Sequence, residues 1–111
     1  MGTSDRDLHL TPNQEVILSA LRFRKRYGLE ILEAIEQSGG KQIGFNSLYP
    51  NLKKLEKKGF VQSEWGNDPP EEHTGARRKY YRITGTGVQA LAAKQQLLES
   101  AAQWTPQPKE V

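Results

Sequence analysis

Residues 46–54 read Asn46-Ser47-Leu48-Tyr49-Pro50-Asn51-Leu52-Lys53-Lys54, a run in which polar hydrogen-bond donors give way to cations. Leu48, Leu52 and Leu55 stand at i, i+4 and i+7, so the run folds as a helix with a leucine stripe inward. Asn46, Pro50, Lys53 and Lys57 then face outward, with Ser47 and Lys54 flanking them. At such a helix start, Asn46, Ser47 and Tyr49 can donate to anionic oxygens where the helix end is already partially positive. Lys53 and Lys54 extend that field along the exposed face. The pattern suits phosphate binding, not bond breaking. A second cationic group, Arg77-Arg78-Lys79, lies downstream and offers the same chemistry. On its own, the lysine cluster from Lys53 to Lys58 reads more simply as a solvated helical face, and its surroundings must decide.

Other chemistries find little support. There is no cysteine, hence no disulfide framework, thiolate nucleophile or cysteine-based zinc site. His9 and His73 lie far apart without a ligand pattern, so no metal and no cofactor are expected. Gly85-Thr86-Gly87 lacks the third glycine of a nucleotide loop and follows strand-like residues instead of opening a βαβ unit. No nucleophile motif surrounds any serine, and a chain of 111 residues has little room for a catalytic pocket. An enzyme is not expected. The formal charge of +3 permits nucleic-acid binding without requiring it. The N-terminus has no export signal pattern and no apolar run reaches spanning length, so a cytoplasmic protein without membrane contact is the simplest expectation.

The elements that must position these residues follow from local pattern. Thr11-Pro12-Asn13-Gln14 supplies an N-cap hydroxyl, a proline for the first helical position and a Gln that completes a capping box. The helix it starts carries Val16, Ile17, Ala20, Leu21 and Phe23 and is expected to end near Arg24. A second helix places Leu29, Leu32 and Ile35 inward and Glu30, Glu33 and Glu36 outward, and stops at Gly39-Gly40. Asn46 or Ser47 is expected to cap the third helix, which closes at Gly59 and accommodates Pro50 as a first-turn residue. The period then changes to two, in Val61-Gln62-Ser63-Glu64-Trp65 and in Lys79-Tyr80-Tyr81-Arg82-Ile83. These are the strands of a hairpin joined by the polar loop 66–76, expected to project and to be mobile, with Glu71 and Glu72 at its tip. Tyr81, alternating with Ile83, is expected in the core. Thr84 can cap a long last helix from about Gly85 to Gln103. On it Leu91 and Leu98, and beside them Ala90, Leu97 and Trp104, recur at seven-residue spacing.

The expected fold is mostly α with a small β-hairpin, an α+β arrangement. Three helices, a strand, a wing, a strand and a fourth helix are the chain order of a winged helix-turn-helix, whose third helix enters the major groove of DNA. The run from Gly44 to Val61, and above all its Ser47-Leu48-Tyr49-Pro50 and Leu55-Glu56 elements with Gly59, resembles the PadR family of bacterial transcriptional regulators. Tyr27-Gly28-Leu29-Glu30-Ile31 and residues 77–84 match it too, so the resemblance covers about residues 10–98. It implies a regulator, by default a repressor, that binds a pseudo-palindromic operator in double-stranded DNA as a homodimer. Asn46, Ser47, Tyr49, Pro50, Asn51, Lys53, Lys54, Arg77, Arg78 and Lys79 would contact DNA. The third helix has no arginine, so base readout is expected to be modest, with Asn46, Ser47 or Asn51 as readers.

The resemblance also implies dimerisation through the fourth helix and the first, with Leu91, Leu97, Leu98 and Trp104 at the interface. Ending soon after Gln103, the chain is similar to the short members of the family. Some of those bind flat hydrophobic compounds, which implies a small aromatic effector near Trp104 as an alternative to its role as an interface anchor. A further alternative is a winged helix used for protein contact through Glu30, Glu33 and Glu36 or the fourth-helix stripe. The expected organisation is a flexible arm over residues 1–10, the DNA-binding domain over 11–84, a dimerisation helix over 85–104 and a flexible tail over 105–111.

Overall fold

In the computed structural model, which describes residues 8–67 and 77–108, Thr11 opens α1 (Pro12–Ala20) through a complete capping box. Its hydroxyl accepts from the Gln14 N–H, and the Gln14 side-chain carbonyl accepts from the Thr11 N–H, both at 3.2 Å. Ile17 and Leu18 face the core, as does Leu21 at the C-cap. The helix ends at Ala20, four residues before the expected Arg24, because the chain turns there into β1 (Arg26–Tyr27). Phe23, expected on the apolar face of α1, therefore lies in the turn and is 89% exposed. Leu10 is only 2% exposed and Leu8 packs on the same core, so burial starts ahead of Thr11, inside the expected arm.

Helix α2 (Gly28–Gln37) follows β1 directly and ends through Gly39, whose φ of 84° is the left-handed terminus expected there. Its inward stripe is Gly28, Ile31 and Ile35; Leu29, expected inward, is exposed and Leu32 is half-buried. Helix α3 (Phe45–Lys57) buries Leu48, Leu52 and Leu55, the stripe read from the sequence. It begins earlier than expected. Gly44 is the N-cap, with no side-chain cap, so neither Asn46 nor Ser47 caps it and Pro50 sits in the second turn. Pro50 removes the N–H that would bond the Asn46 carbonyl; both residues are exposed, so water can satisfy that carbonyl.

Gly59, at φ 83°, turns the chain from α3 into β2 (Val61–Trp65), and the Phe60 N–H donates to the Leu55 carbonyl at 2.9 Å. β2 pairs antiparallel with β3 (Lys79–Ile83), with Val61 opposite Ile83 and Trp65 opposite Lys79. β1 pairs with the other edge of β3, giving a three-stranded sheet of order β1-β3-β2 where two strands were expected. Thr84 then knots the last junction. Its N–H donates to the Phe60 carbonyl at 2.9 Å, its hydroxyl donates to the Gly59 carbonyl at 2.6 Å, and the same oxygen caps α4 (Gly85–Gln103) by accepting from Gly87. Gly87 is required here, because a Cβ would collide with the Phe60 carbonyl. Only Gly87 and Ala90 of α4 are buried, and Leu91 is partly so. The rest of the helix runs clear of the core. Among the described residues no helix is long and apolar enough to cross a membrane.

Candidate nucleic-acid interface

With the leucine stripe of α3 fixed inward, a rotation of about 100° per residue distributes the remaining side chains into three bands. Asn46, Pro50, Lys53 and Lys57 form the outermost ridge, with Lys54 beside them; all five are exposed. Among the described residues Lys53, Lys54 and Lys57 make no ion pair, so their ammonium groups are available to an anion. This ridge matches the face read from the sequence.

The two flanking bands are engaged with the protein. On one flank Ser47 and Asn51 meet α1. The Gln14 amide donates to the Asn51 side-chain carbonyl at 3.3 Å, and the Asn51 amide donates to the Ser47 carbonyl at 2.9 Å and weakly to its hydroxyl at 3.4 Å. Asn13 reaches the same hydroxyl at 3.4 Å. The orientation of the Gln14 and Asn51 amides follows, because the Gln14 carbonyl is committed to the Thr11 N–H at one end and Ser47 offers a carbonyl at the other. Asn51, named as a base reader, has both ends of its amide occupied by this relay. Removing it by Asn51→Ala leaves the Gln14 N–H₂ group without its partner in a residue only 4% exposed. The expected cost is about 1–3 kcal/mol, read from urea denaturation.

On the other flank, Tyr49 stacks on Phe45 with ring centroids 5.6 Å apart. The ring is half-exposed, yet its hydroxyl lies over Gly28 at the start of α2, where a Cβ would collide with it. The phenol named as a phosphate donor is thus also a packing group that needs a glycine beneath it. Glu56, further along this flank, accepts from the Ser63 hydroxyl at 2.8 Å and ties α3 to β2. Tyr81, opposite Ser63, is buried as expected. Burial pushes its phenol above the usual range, with Tyr49 and Glu56 acting in the same direction.

The sheet separates the three cations of the return strand. Residues alternate between faces, and cross-strand partners share one. Tyr81 faces the core, so Lys79 and its partner Trp65 lie on the α3 side. Arg78, one residue out of phase, lies with Tyr27 and Tyr80 on the outer face. Its guanidinium sits 4.6 Å from the Tyr27 ring centroid, and Tyr27 packs edge-on to Tyr80 at 5.6 Å. Arg77 is exposed and donates to the Gly66 carbonyl at 3.2 Å. Also on the outer face, Glu64 pairs with Lys25 at 3.0 Å and Arg82 at 3.3 Å; the hydrogen bond from Lys25 chiefly holds its carboxyl below the usual range. The sequence reading did not connect Lys25 to the sheet, because nothing marked Arg26–Tyr27 as a strand. The wing tip with Glu71 and Glu72, His73, the arm over residues 1–7 and the tail over 109–111 lie outside the described residues.

The named interface residues separate as well. Leu91 leans on the core, whereas Leu97, Leu98 and Trp104 are exposed along the free half of α4. A groove of about 450 Å³ runs between α1 and α4, lined by Phe23, Val88, Leu91 and Leu98 with Glu15 and Arg22 at its rim.

Residues 17–93 match the transcriptional regulator PadR-like family. The chain is 34% identical over 79 residues to an uncharacterized protein of Lysinibacillus sphaericus, a stretch covering 69% of each. In structure it is similar to a PadR family transcriptional regulator from Eggerthella lenta, with a TM-score of 0.68 and 30% identity over 81% of this chain and 74% of the other. It is equally similar to a PadR family regulator from Clostridium difficile, with a TM-score of 0.68 and 29% identity over 81% of this chain and 90% of the other.

Proposed function

The chain belongs to the PadR-like family of transcriptional regulators, and from that premise we propose that it is a repressor that binds a pseudo-palindromic operator as a homodimer. The observation that carries the reading is the outer ridge of α3, where exposed Asn46, Lys53, Lys54 and Lys57 face solvent, the lysines without ion-pair partners among the described residues, while both flanks are tied to the protein. Such a ridge can enter a major groove while its leucine stripe stays seated on the core. Asn46 is left as its reader of base edges, and the lysines meet phosphate. Arg77 and Lys79 extend the contact from the wing. Occupancy of a promoter would then exclude other proteins from it. No step of this function is catalytic.

Dimerisation is supported by the apolar side chains that one copy leaves in water. Phe23, Leu97, Leu98 and Trp104 border or continue the groove between α1 and α4, and a second copy of α4 is the element whose seven-residue pattern fits them. Two third helices would then lie about one helical turn of DNA apart, roughly 34–36 Å. A planar aromatic effector between the two copies fits the same apolar surroundings and would act by changing that spacing.

The test is selection of bound sequences from a randomised duplex pool. The expected result is an enriched inverted repeat, and its absence would overturn the operator reading. The selected duplex should also show steep salt dependence. Lys53, Lys54, Arg77 and Lys79 on each of two subunits would release enough counterions to lower affinity about a thousandfold or more between roughly 50 and 200 mM salt. A nearly flat dependence, measured by fluorescence anisotropy, would instead favour a protein-docking role for this winged helix.

A further inference from the structure

The two faces of the hairpin end differently. On the outer face the aromatic rings are covered: Tyr27 and Tyr80 pack on each other, Arg78 lies over Tyr27, and the Lys25 ammonium is 5.3 Å from the Tyr80 centroid. On the α3 face the last residue of β2 is Trp65, which is 59% exposed and has the Lys79 ammonium 5.6 Å from its ring centroid. A tryptophan left in water forgoes the burial that makes the residue valuable in a small fold. The position is also held firmly. The Gly66 N–H donates to the Arg78 carbonyl at 2.7 Å, Arg77 clasps the Gly66 carbonyl at 3.2 Å, and Gly66 itself is buried against the Tyr80 ring. Trp65 therefore stands on the paired base of the wing.

Its direction relative to α3 is fixed by Ser63. Ser63 shares a face with Trp65, and its hydroxyl is bonded to Glu56 of α3. Two residues further along the strand, about 7 Å, Trp65 passes beyond that contact on the side where α3 lies. An apolar ring with the Lys79 ammonium beside it is the complement of a deoxyribose next to a phosphate.

We propose that Trp65 is a DNA contact, its indole lying against the sugars of the backbone beside the groove that α3 enters, while the neighbouring Lys79 independently meets the adjoining phosphate. The proposal rests on the DNA-binding reading of α3. It adds a contact that carries no base sequence information, which suits a helix without arginine and with Asn51 turned toward α1.

The test uses the full chain and a random-sequence duplex at low salt. Trp65→Ala is expected to weaken binding about tenfold with the salt slope unchanged, because no phosphate contact is lost. Trp65→Phe should recover most of the affinity. Lys79→Ala should instead reduce the slope by about one counterion per subunit. In wild-type protein labelled with 5-fluorotryptophan, the ¹⁹F resonance that is missing from Trp65→Phe should shift when duplex is added. If Trp65→Ala binds within about twofold of wild type, or that resonance stays put while duplex is bound, the proposal is overturned. A resonance that moves with protein concentration alone would overturn it too, placing Trp65 between copies of the chain. Failure of the wild-type chain to bind any duplex would take down the reading of α3 itself, an outcome distinct from the others.

Discussion

Replacing Lys53 and Lys54 together by glutamate is expected to lower duplex affinity by more than about a hundredfold, since each charged contact contributes about 1.5–3 kcal/mol and reversal adds repulsion. Both side chains are exposed on the outer ridge of α3 and make no ion pair among the described residues. Nothing in the core depends on them, so the circular dichroism spectrum and thermal midpoint should stay close to wild type. Fluorescence anisotropy on a selected duplex checks the affinity. Binding that survives the reversal would move the interface off α3, leaving the acidic outer face of α2 or the free half of α4 as the working surface.

Phe60→Ala should have the largest effect on stability, about 3–5 kcal/mol, from lost burial and the cavity left behind. Phe60 is fully buried where four elements meet: its N–H closes the end of α3, its carbonyl receives Thr84, and Gly87 of α4 packs against that carbonyl. Many domains of this size have only about 5–10 kcal/mol in total, so the variant should lose about half of its stability and its thermal midpoint should fall by roughly 10–30 °C. Urea denaturation followed by circular dichroism measures the loss. A loss under about 1 kcal/mol would mean that the junction repacks around the gap.

How much of this was legible in the sequence depended on how local each signal was. The capping box at Thr11, the leucine stripe of α3, the strand alternation and the cap at Thr84 each rest on a few neighbouring residues, and all four stand in the structure. β1 was missed because two residues carry no period; Arg26 and Tyr27 form a strand only through β3, more than fifty residues away. The end of α1 was misplaced for the same reason, since that pairing draws the chain out of the helix. α2 offered Leu29, Ile31, Leu32 and Ile35, enough apolar residues for two different inward faces, and tertiary packing chose Ile31 and Ile35. At the site, composition identified the donors but not their engagement. Asn51 and Asn46 are the same residue type on one helix, and only the approach of Gln14 separates the one that is occupied from the one that is available.

The relay from Gln14 through Asn51 to Ser47 has a mechanical side. Interdigitated leucines set how deep α3 sits and resist its being lifted off the core. Its rotation on the α1 flank is instead resisted by the two side-chain hydrogen bonds that cross to α1, Gln14 to Asn51 at 3.3 Å and Asn13 to Ser47 at 3.4 Å, both at the long end of the hydrogen-bond range. The helix is therefore stiff in depth, and more compliant on its α1 flank than on the flank that Glu56 and Tyr49 hold, like a shaft clamped along one side. On a duplex, a small roll would carry the ridge from Asn46 to Lys53 sideways across neighbouring base edges without disturbing the hydrophobic seat. Tolerance to variation in the bound sequence would then reside in a joint that never touches the DNA.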